Sequence, residues 1–203
     1  HNNFVFREEV VWALPSVILA TIQVRLNWPK LPIYKAEETE ISGLYTDLDK
    51  LCLRFLEYAA FALFIFQFVY PVLPIINMLN IKIIEIVVGY FFVLSGFFLS
   101  LLALLNLGKN WSGLLDYRIK KGQALVITGV YKYIRHPIYL SVILEVVGYE
   151  LIMNSWLFVF LGIVFGLFFY EHSLREELLL EKKFGERFQS YKSRTKMFLP
   201  KVI

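Results

Sequence analysis

The chain has 203 residues, 58% of them hydrophobic and 17% aromatic, with 21 Lys and Arg against 17 Asp and Glu for a net charge of +4. Its mean hydropathy of +0.58 lies well above that of an ordinary soluble domain and excludes one. What remains is one integral membrane domain, 1–203, whose core is made chiefly of helix-to-helix contacts in lipid.

The chain opens on His1, so its first residues are expected to be an expression remnant. No basic leader with a small-residue cleavage site precedes the first apolar run, and no cleaved signal peptide is expected. Three apolar runs, 9–26, 51–76 and 81–107, reach or approach the roughly 20 residues that a helix needs to cross a hydrocarbon layer. Gly89, Ser95, Gly96 and Ser100 give the third run a stripe of small residues suited to packing a neighbouring helix. Two further apolar segments, 138–153 and 156–170, are separated only by Asn154 and Ser155 and predict a tight helical hairpin. Its second arm continues through "EHSLREELLLEKKFG" as an amphipathic extension into water, until Gly185 supplies a stop. The expected fold is therefore an all-α membrane protein with five transmembrane helices, helices 1–3 within 1–105 and the hairpin within 106–203.

Charge placement predicts the orientation. Lys30, Lys35 and Lys50 lie in one connection, Lys109, Arg118, Lys120, Lys121, Lys132 and Arg135 in another, and eight more basic residues follow from Arg175 onward. The opposite side has Arg7 and Lys82. The positive-inside rule then puts the N-terminus outside and the basic segments, including the C-terminus, in the cytoplasm of a multi-pass protein. The positive charge is thus a topology signal, and without interleaved basic and aromatic residues no nucleic-acid partner is expected. The single cysteine, Cys52, forms no internal disulfide.

Two cytoplasmic segments hold the polar chemistry, and the hairpin brings them together. Pro137 suits the first turn of a helix, which puts His136 at the helix entrance and Tyr139 just inside. Free N–H groups there favour a carboxylate or phosphate oxygen. On the exit helix His172 and Glu176 share a face, and Ser173 and Glu177 share the next. Carboxylates at that level suit a cationic ligand. On composition alone they also fit a solvated collar, and Tyr131, Tyr133 and Tyr139 an aromatic belt. Within the membrane Glu145 fits either a lipid or substrate cavity or a hydrogen-bonded structural role. Glu150 reads as solvated near the far interface, and Arg54 with Glu57 as an interfacial pair.

"TGVYKYIRHPIYLS", followed about forty residues later by "EELLLEKKFGERFQSYKSRTKMFLP", resembles the C-terminal signature of the isoprenylcysteine carboxyl methyltransferase family and its relatives, the phospholipid methyltransferases. "LGKNWS" resembles the prokaryotic members, and the match covers about 106–200, roughly half of the chain. The resemblance implies a membrane enzyme that uses S-adenosyl-L-methionine without a Rossmann domain, holding the cofactor between the loop before the hairpin and the helix after it. It carries cofactor contacts onto Gln123, Ala124, Leu125 and Val126, onto Tyr131, onto His136, Pro137, Ile138 and Tyr139, and onto Glu176. His136 with the helix N-terminus is assigned to the cofactor's carboxylate end. His172 stands where eukaryotic members carry a substrate-contacting arginine, and Arg175 nearby is the other candidate for that charge, so Glu176, His172 and Arg175 are the expected catalytic group.

No metal is expected. The implied acceptor enters from the bilayer, most simply as the carboxylate of a prenylated cysteine. A phospholipid amine or a small lipophilic thiol is the alternative acceptor, and the alternatives of other classes are a nicotinamide-dependent sterol-type reductase and a non-enzymatic membrane scaffold.

Overall fold

The computed structural model describes residues 39–42, scattered positions between 51 and 70, and 82–111 and 118–199. The run 9–26 and most of 51–76, with Arg54 and Glu57, lie outside the described residues.

Helix α1, Lys82–Leu107, has 26 residues, about 39 Å at 1.5 Å per residue and so longer than a hydrocarbon layer. Its buried residues Ile86, Gly89, Val93, Gly96, Ser100 and Ala103 recur every three or four positions and form one face. The outer face, with Val87, Phe91, Leu94, Phe98 and Leu102, is exposed and equally apolar. Such a face is favourable against lipid or another apolar surface rather than against water. Helix α2 spans Pro137–Ile152 and helix α3 Leu157–Phe184. Of these helices, α1 and α3 are long and apolar enough to cross a membrane, and α3 also turns apolar residues outward at Phe160, Ile163, Val164 and Leu167.

Helices α1 and α2 pack closely, and the small-residue stripe of α1 faces α2. A Cβ on Gly89 would stand 2.7 Å from the Gly148 carbonyl oxygen, and one on Gly96 2.7 Å from that of Ser141. Backbone therefore packs directly on backbone, which only glycine permits here. At the far end of α2, Glu150 differs from the sequence reading: it is buried rather than solvated, and Gln67 Nε2 donates to its carboxylate at 2.8 Å. That bond, with a second from the Ser155 side chain, satisfies a carboxyl group that burial removes from water.

Helices α2 and α3 pack on each other across a four-residue link. Asn154 turns the chain with φ 54°, a left-handed conformation that asparagine tolerates. Its N–H donates to Leu151 O, and Ser155 Oγ accepts from the Leu157 N–H at the start of α3. The mainly helical architecture has one exception to the all-α expectation. Strand β1, Thr39–Ser42, pairs antiparallel with strand β2, Arg118–Lys120, matching Thr39 to Lys120 and Ser42 to Arg118. Residues 118–120 belong to a connection whose backbone groups have no helical partners, and a ladder supplies them.

Helix α3 ends where Gly185 adopts φ 51° and donates its N–H to Glu181 O at 2.8 Å. A short helix α4, Glu186–Arg194, follows and buries Phe188 and Tyr191. Beyond it the chain lies against the loop that precedes α2. Ile134 and Lys196 form a parallel bridge, Arg135 N donates to Lys196 O at 2.9 Å, and His136 N donates to Met197 O at 3.1 Å.

Candidate functional site

The loop between α1 and α2 is fastened to the end of α1 by two asparagines. Asn106 Oδ1 accepts from the Val130 N–H at 2.9 Å, and Asn110 Oδ1 accepts from the Ala124 N–H at 2.9 Å. Gln123 Nε2 donates to the Asn110 carbonyl at 3.3 Å. Gly129 has φ 60°, and any Cβ there would overlap the Asn106 amide. Glycine is required on both counts. The loop then enters a one-turn 3₁₀ segment, Gly129–Lys132, that seats Tyr131 in an apolar cluster with Ala103 and Ile138, against which Val126 and Trp111 pack. Tyr191 of α4 donates its hydroxyl to the Tyr131 carbonyl at 2.7 Å. Burial, and then the Glu176 charge, pushes the Tyr131 hydroxyl well above the usual tyrosine range, and burial likewise raises Tyr191. Both remain neutral donors at working pH.

Pro137 occupies the first turn of α2, and His136 immediately precedes it. The imidazole is only 4% exposed and lies between two carboxylates of α3, with Nδ1 3.4 Å from Glu176 Oε2 and Nε2 3.3 Å from Glu177 Oε1. A neutral imidazole has one N–H and one lone pair, so one of these contacts would then be repulsive. The cation satisfies both. Burial by itself lowers the His136 pKa, but the bonds to Glu176 and Glu177 and their charges outweigh it and leave the imidazole above its usual 6.5. The ring also stacks on Tyr139 at 5.4 Å between centroids.

The two glutamates differ in what surrounds them. Glu177 is 1% exposed. Its Oε1 meets Arg135 Nε at 2.6 Å and its Oε2 meets Lys192 Nζ at 2.9 Å, so three cationic groups converge on one carboxylate. Arg135 Nη1 also donates to the Thr195 and Lys192 carbonyls. The Glu176 side chain, by contrast, is 38% exposed. Tyr139 donates its hydroxyl to Glu176 Oε2 at 2.9 Å, the oxygen that also faces His136. Both contacts orient the carboxylate, while more than a third of the side chain's surface stays exposed.

The structure thus brings together His136, Tyr139 and Glu176, with Tyr131 and Ile138 packed alongside and Val126 against them. Gln123 and Ala124 are held at Asn110, with Ala124 exposed, while Leu125 and Val126 are half-buried. Pro137 is buried at the head of α2. His172 lies 2% exposed, stacked on Phe168 at 4.9 Å and edge-on to Tyr139 at 5.9 Å. Arg175 is partly exposed and pairs with Glu171 at 3.1 Å. Both ring nitrogens of His136 meet glutamates, a pairing the sequence reading did not anticipate. Asn106, Asn110, Arg135 and Lys192 were not singled out as site residues, and Glu177 was noted only for the face it shares with Ser173. "LGKNWS" and "RHPIY" contain two of them, Asn110 and Arg135, and Asn106 directly precedes the first, while Lys192 lies in the second signature stretch with nothing local to mark its role.

A family model described as phospholipid methyltransferase matches residues 84–187, about half of the chain. Among curated proteins, the protein-S-isoprenylcysteine O-methyltransferase of Xenopus laevis is 30% identical over 133 residues, 65% of this chain and 44% of that protein. The protein of the same name from Schizosaccharomyces pombe is 25% identical over 112 residues, 55% of this chain and 48% of that protein. Protein-S-isoprenylcysteine O-methyltransferase B of Arabidopsis thaliana is 28% identical over 115 residues, 56% of this chain and 58% of that protein. The matches span about half the length of these relatives. The family match takes in nearly all of α1, the loop with its asparagine anchors, His136 and the glutamates of α3, and by this match the chain belongs to the phospholipid methyltransferase family.

Proposed function

We propose that the chain is an S-adenosyl-L-methionine-dependent membrane methyltransferase whose acceptor is the carboxylate of a prenylated cysteine. The observation that carries this reading is the partly exposed Glu176 side chain, its carboxylate oriented by His136 and Tyr139 among aromatic rings. A carboxylate beside tyrosines fits a cationic ligand with a flat base, and family membership supplies the reaction class. When bound, the cofactor supplies an electrophilic methyl group on a sulfonium.

The residues then align the partners and exclude water. Glu176 makes the polar contact to the cofactor, Tyr131 and Tyr139 flank its adenosine, and 123–126 with Pro137 and Ile138 close the pocket. A carboxylate acceptor is already anionic near pH 7 and needs no general base. Arg175, exposed at the rim where His172 is enclosed by Phe168 and Tyr139, is the side chain that draws this anion. In the full reading five helices cross the membrane as a single domain, with catalytic region 106–203. The last two form a hairpin, the N-terminus is outside, the site faces the cytoplasm, and the acceptor arrives through the lipid.

Purified protein is expected to bind S-adenosylhomocysteine and not NADPH, and membranes given methyl-labelled cofactor should yield base-labile label in a prenylcysteine peptide. Absence of S-adenosylhomocysteine binding would overturn the reading. The family model's description favours a second acceptor, a phospholipid amine. An amine must lose a proton before attack, so base-stable label and a rate rising with acceptor deprotonation would select it.

A further inference from the structure

Glu177 is too enclosed to meet a ligand, yet it holds more cationic partners than any other carboxylate among the described residues. Those three partners come from two places: Arg135 and His136 from the loop before α2, and Lys192 from α4. Arg135 extends the link, since its guanidinium donates to the carbonyls of Lys192 and Thr195 while its own N–H donates to Lys196 O. The adjoining His136 N–H donates to Met197 O, and the Phe198 ring lies 6.3 Å from the imidazole. The segment after α4 is therefore clamped to the loop from which His136 projects. Glu176 receives His136 through the opposite ring nitrogen.

We propose that Glu177 is a positioning residue for methyl transfer, fixing the imidazole of His136 between α3 and the C-terminal segment so that its other nitrogen orients the ligand-facing carboxylate of Glu176. This rests on the reading of Glu176 as the cofactor contact. The chemistry is that of a two-sided clamp. An imidazolium donates two N–H bonds in opposite directions, and the buried carboxylate fixes one end so that the other is aimed. Arg135 and Lys192 balance the Glu177 charge, so the buried group does not depend on His136 for neutralisation. The same cation is then available to Glu176.

The groups that face His136 are Glu176 and Glu177 from α3, Tyr139 from α2 and Arg135 from its own loop. Lys192 and Tyr191 of α4 act through Glu177, and Tyr131 and His172 act through Glu176, His172 also lying edge-on to Tyr139. Removing Glu177 takes away one of the two carboxylates that favour the imidazolium, so His136 should lose its proton at lower pH.

The test uses full-length protein in detergent and three measurements on wild type, Glu177→Gln and Glu177→Asp. These are thermal unfolding, S-adenosylhomocysteine affinity as a function of pH, and the His136 titration followed by imidazole nitrogen NMR. Glu177→Gln should weaken S-adenosylhomocysteine at least tenfold at pH 6.5 and move both the alkaline limb of binding and the His136 titration to lower pH. Glu177→Asp keeps the charge but retracts it by one methylene, and should weaken binding at least threefold with a smaller movement of the limb. Should the glutamine variant fail to fold, the aspartate variant decides alone. Weaker binding with an unmoved alkaline limb and an unmoved His136 titration would mean that Glu177 only supports the fold, and would overturn the proposal, as would wild-type affinity in the aspartate variant. If wild type binds no S-adenosylhomocysteine, the functional reading fails separately. The His136 titration then still decides whether Glu177 governs the imidazole, an unmoved titration overturning that claim and a shift to lower pH supporting it.

Discussion

Glu176 and Glu177 are consecutive, but successive helical residues are turned by about 100°, which sends one carboxylate into a cage of cations and leaves the other at an open edge. Replacing the open one should therefore be a functional lesion rather than a structural one. Glu176→Gln keeps the shape and an acceptor for the Tyr139 hydroxyl but loses the charge that His136 and a cationic ligand respond to. A charge-assisted hydrogen bond is worth about 1.5 to 3 kcal/mol, so S-adenosylhomocysteine affinity is expected to fall roughly ten- to a hundredfold, with little change in Tm. Near-normal methyl transfer in that variant would remove Glu176 from the site. His136 makes a prediction of the opposite kind, on stability. Its folded pKa is raised above the ordinary 6.5 by the two glutamates. Its contribution is thus fully present below pH 6.5 and is lost as pH rises through the folded value. Thermal unfolding followed from pH 6 to pH 9 should show stability declining over that window. His136→Gln should flatten the decline, and an unchanged slope would mean that the imidazole carries no extra proton in the fold.

At the scale of elements, the α1–α2 contact and the asparagine anchors make separate predictions. Gly89→Val would push a side chain into the Gly148 carbonyl and Ile152. Overpacking of this kind costs about 1 to 3 kcal/mol even where neighbours can yield. A lower Tm without a changed pH profile of binding is the expected result. Gly129→Ala should weaken cofactor binding and stability together, because it both strains a φ of 60° and displaces Asn106. Adding Asn106→Ala relieves the collision but not the strain, so partial recovery in the double variant would separate the two causes. The elements with local signals were legible in the sequence. Pro137 announces the start of α2, Gly185 the end of α3, and Asn154 with Ser155 the link between α2 and α3. The pairing of β1 with β2 had no such signal, nor did the α4 helix, which is mostly polar and follows a stop. Of the site, His136, Tyr139 and Glu176 were legible through the motifs that contain them. The division of labour between the two glutamates was not, since it depends on Lys192 and Thr195, whose contacts with Glu177 and Arg135 bridge stretches of chain that no periodicity links.

For the whole molecule, the open question is which side of the membrane carries the cluster, and chemical labelling answers it. Gly122 has φ 77° and should keep its glycine, so a cysteine is better placed at the exposed Lys121, in a Cys52→Ser background. With the cytoplasmic orientation of the basic segments, an impermeant thiol reagent should modify it only after the inner face is opened. Modification in intact cells would reverse the topology. The order of synthesis adds a further consequence. A nascent chain folds from its N-terminal end, and α1 and α2 can meet as soon as both have left the translocation machinery. The bonds from Arg135 and His136 to Lys196 and Met197 join the loop before α2 to residues made some sixty positions later. Until that stretch emerges from the ribosome, His136 lacks its backbone partner and Glu177 lacks Lys192. The helices can thus pack before the cluster around His136 is complete, and a chain stalled between Phe184 and Lys192 would lack the lysine that meets Glu177.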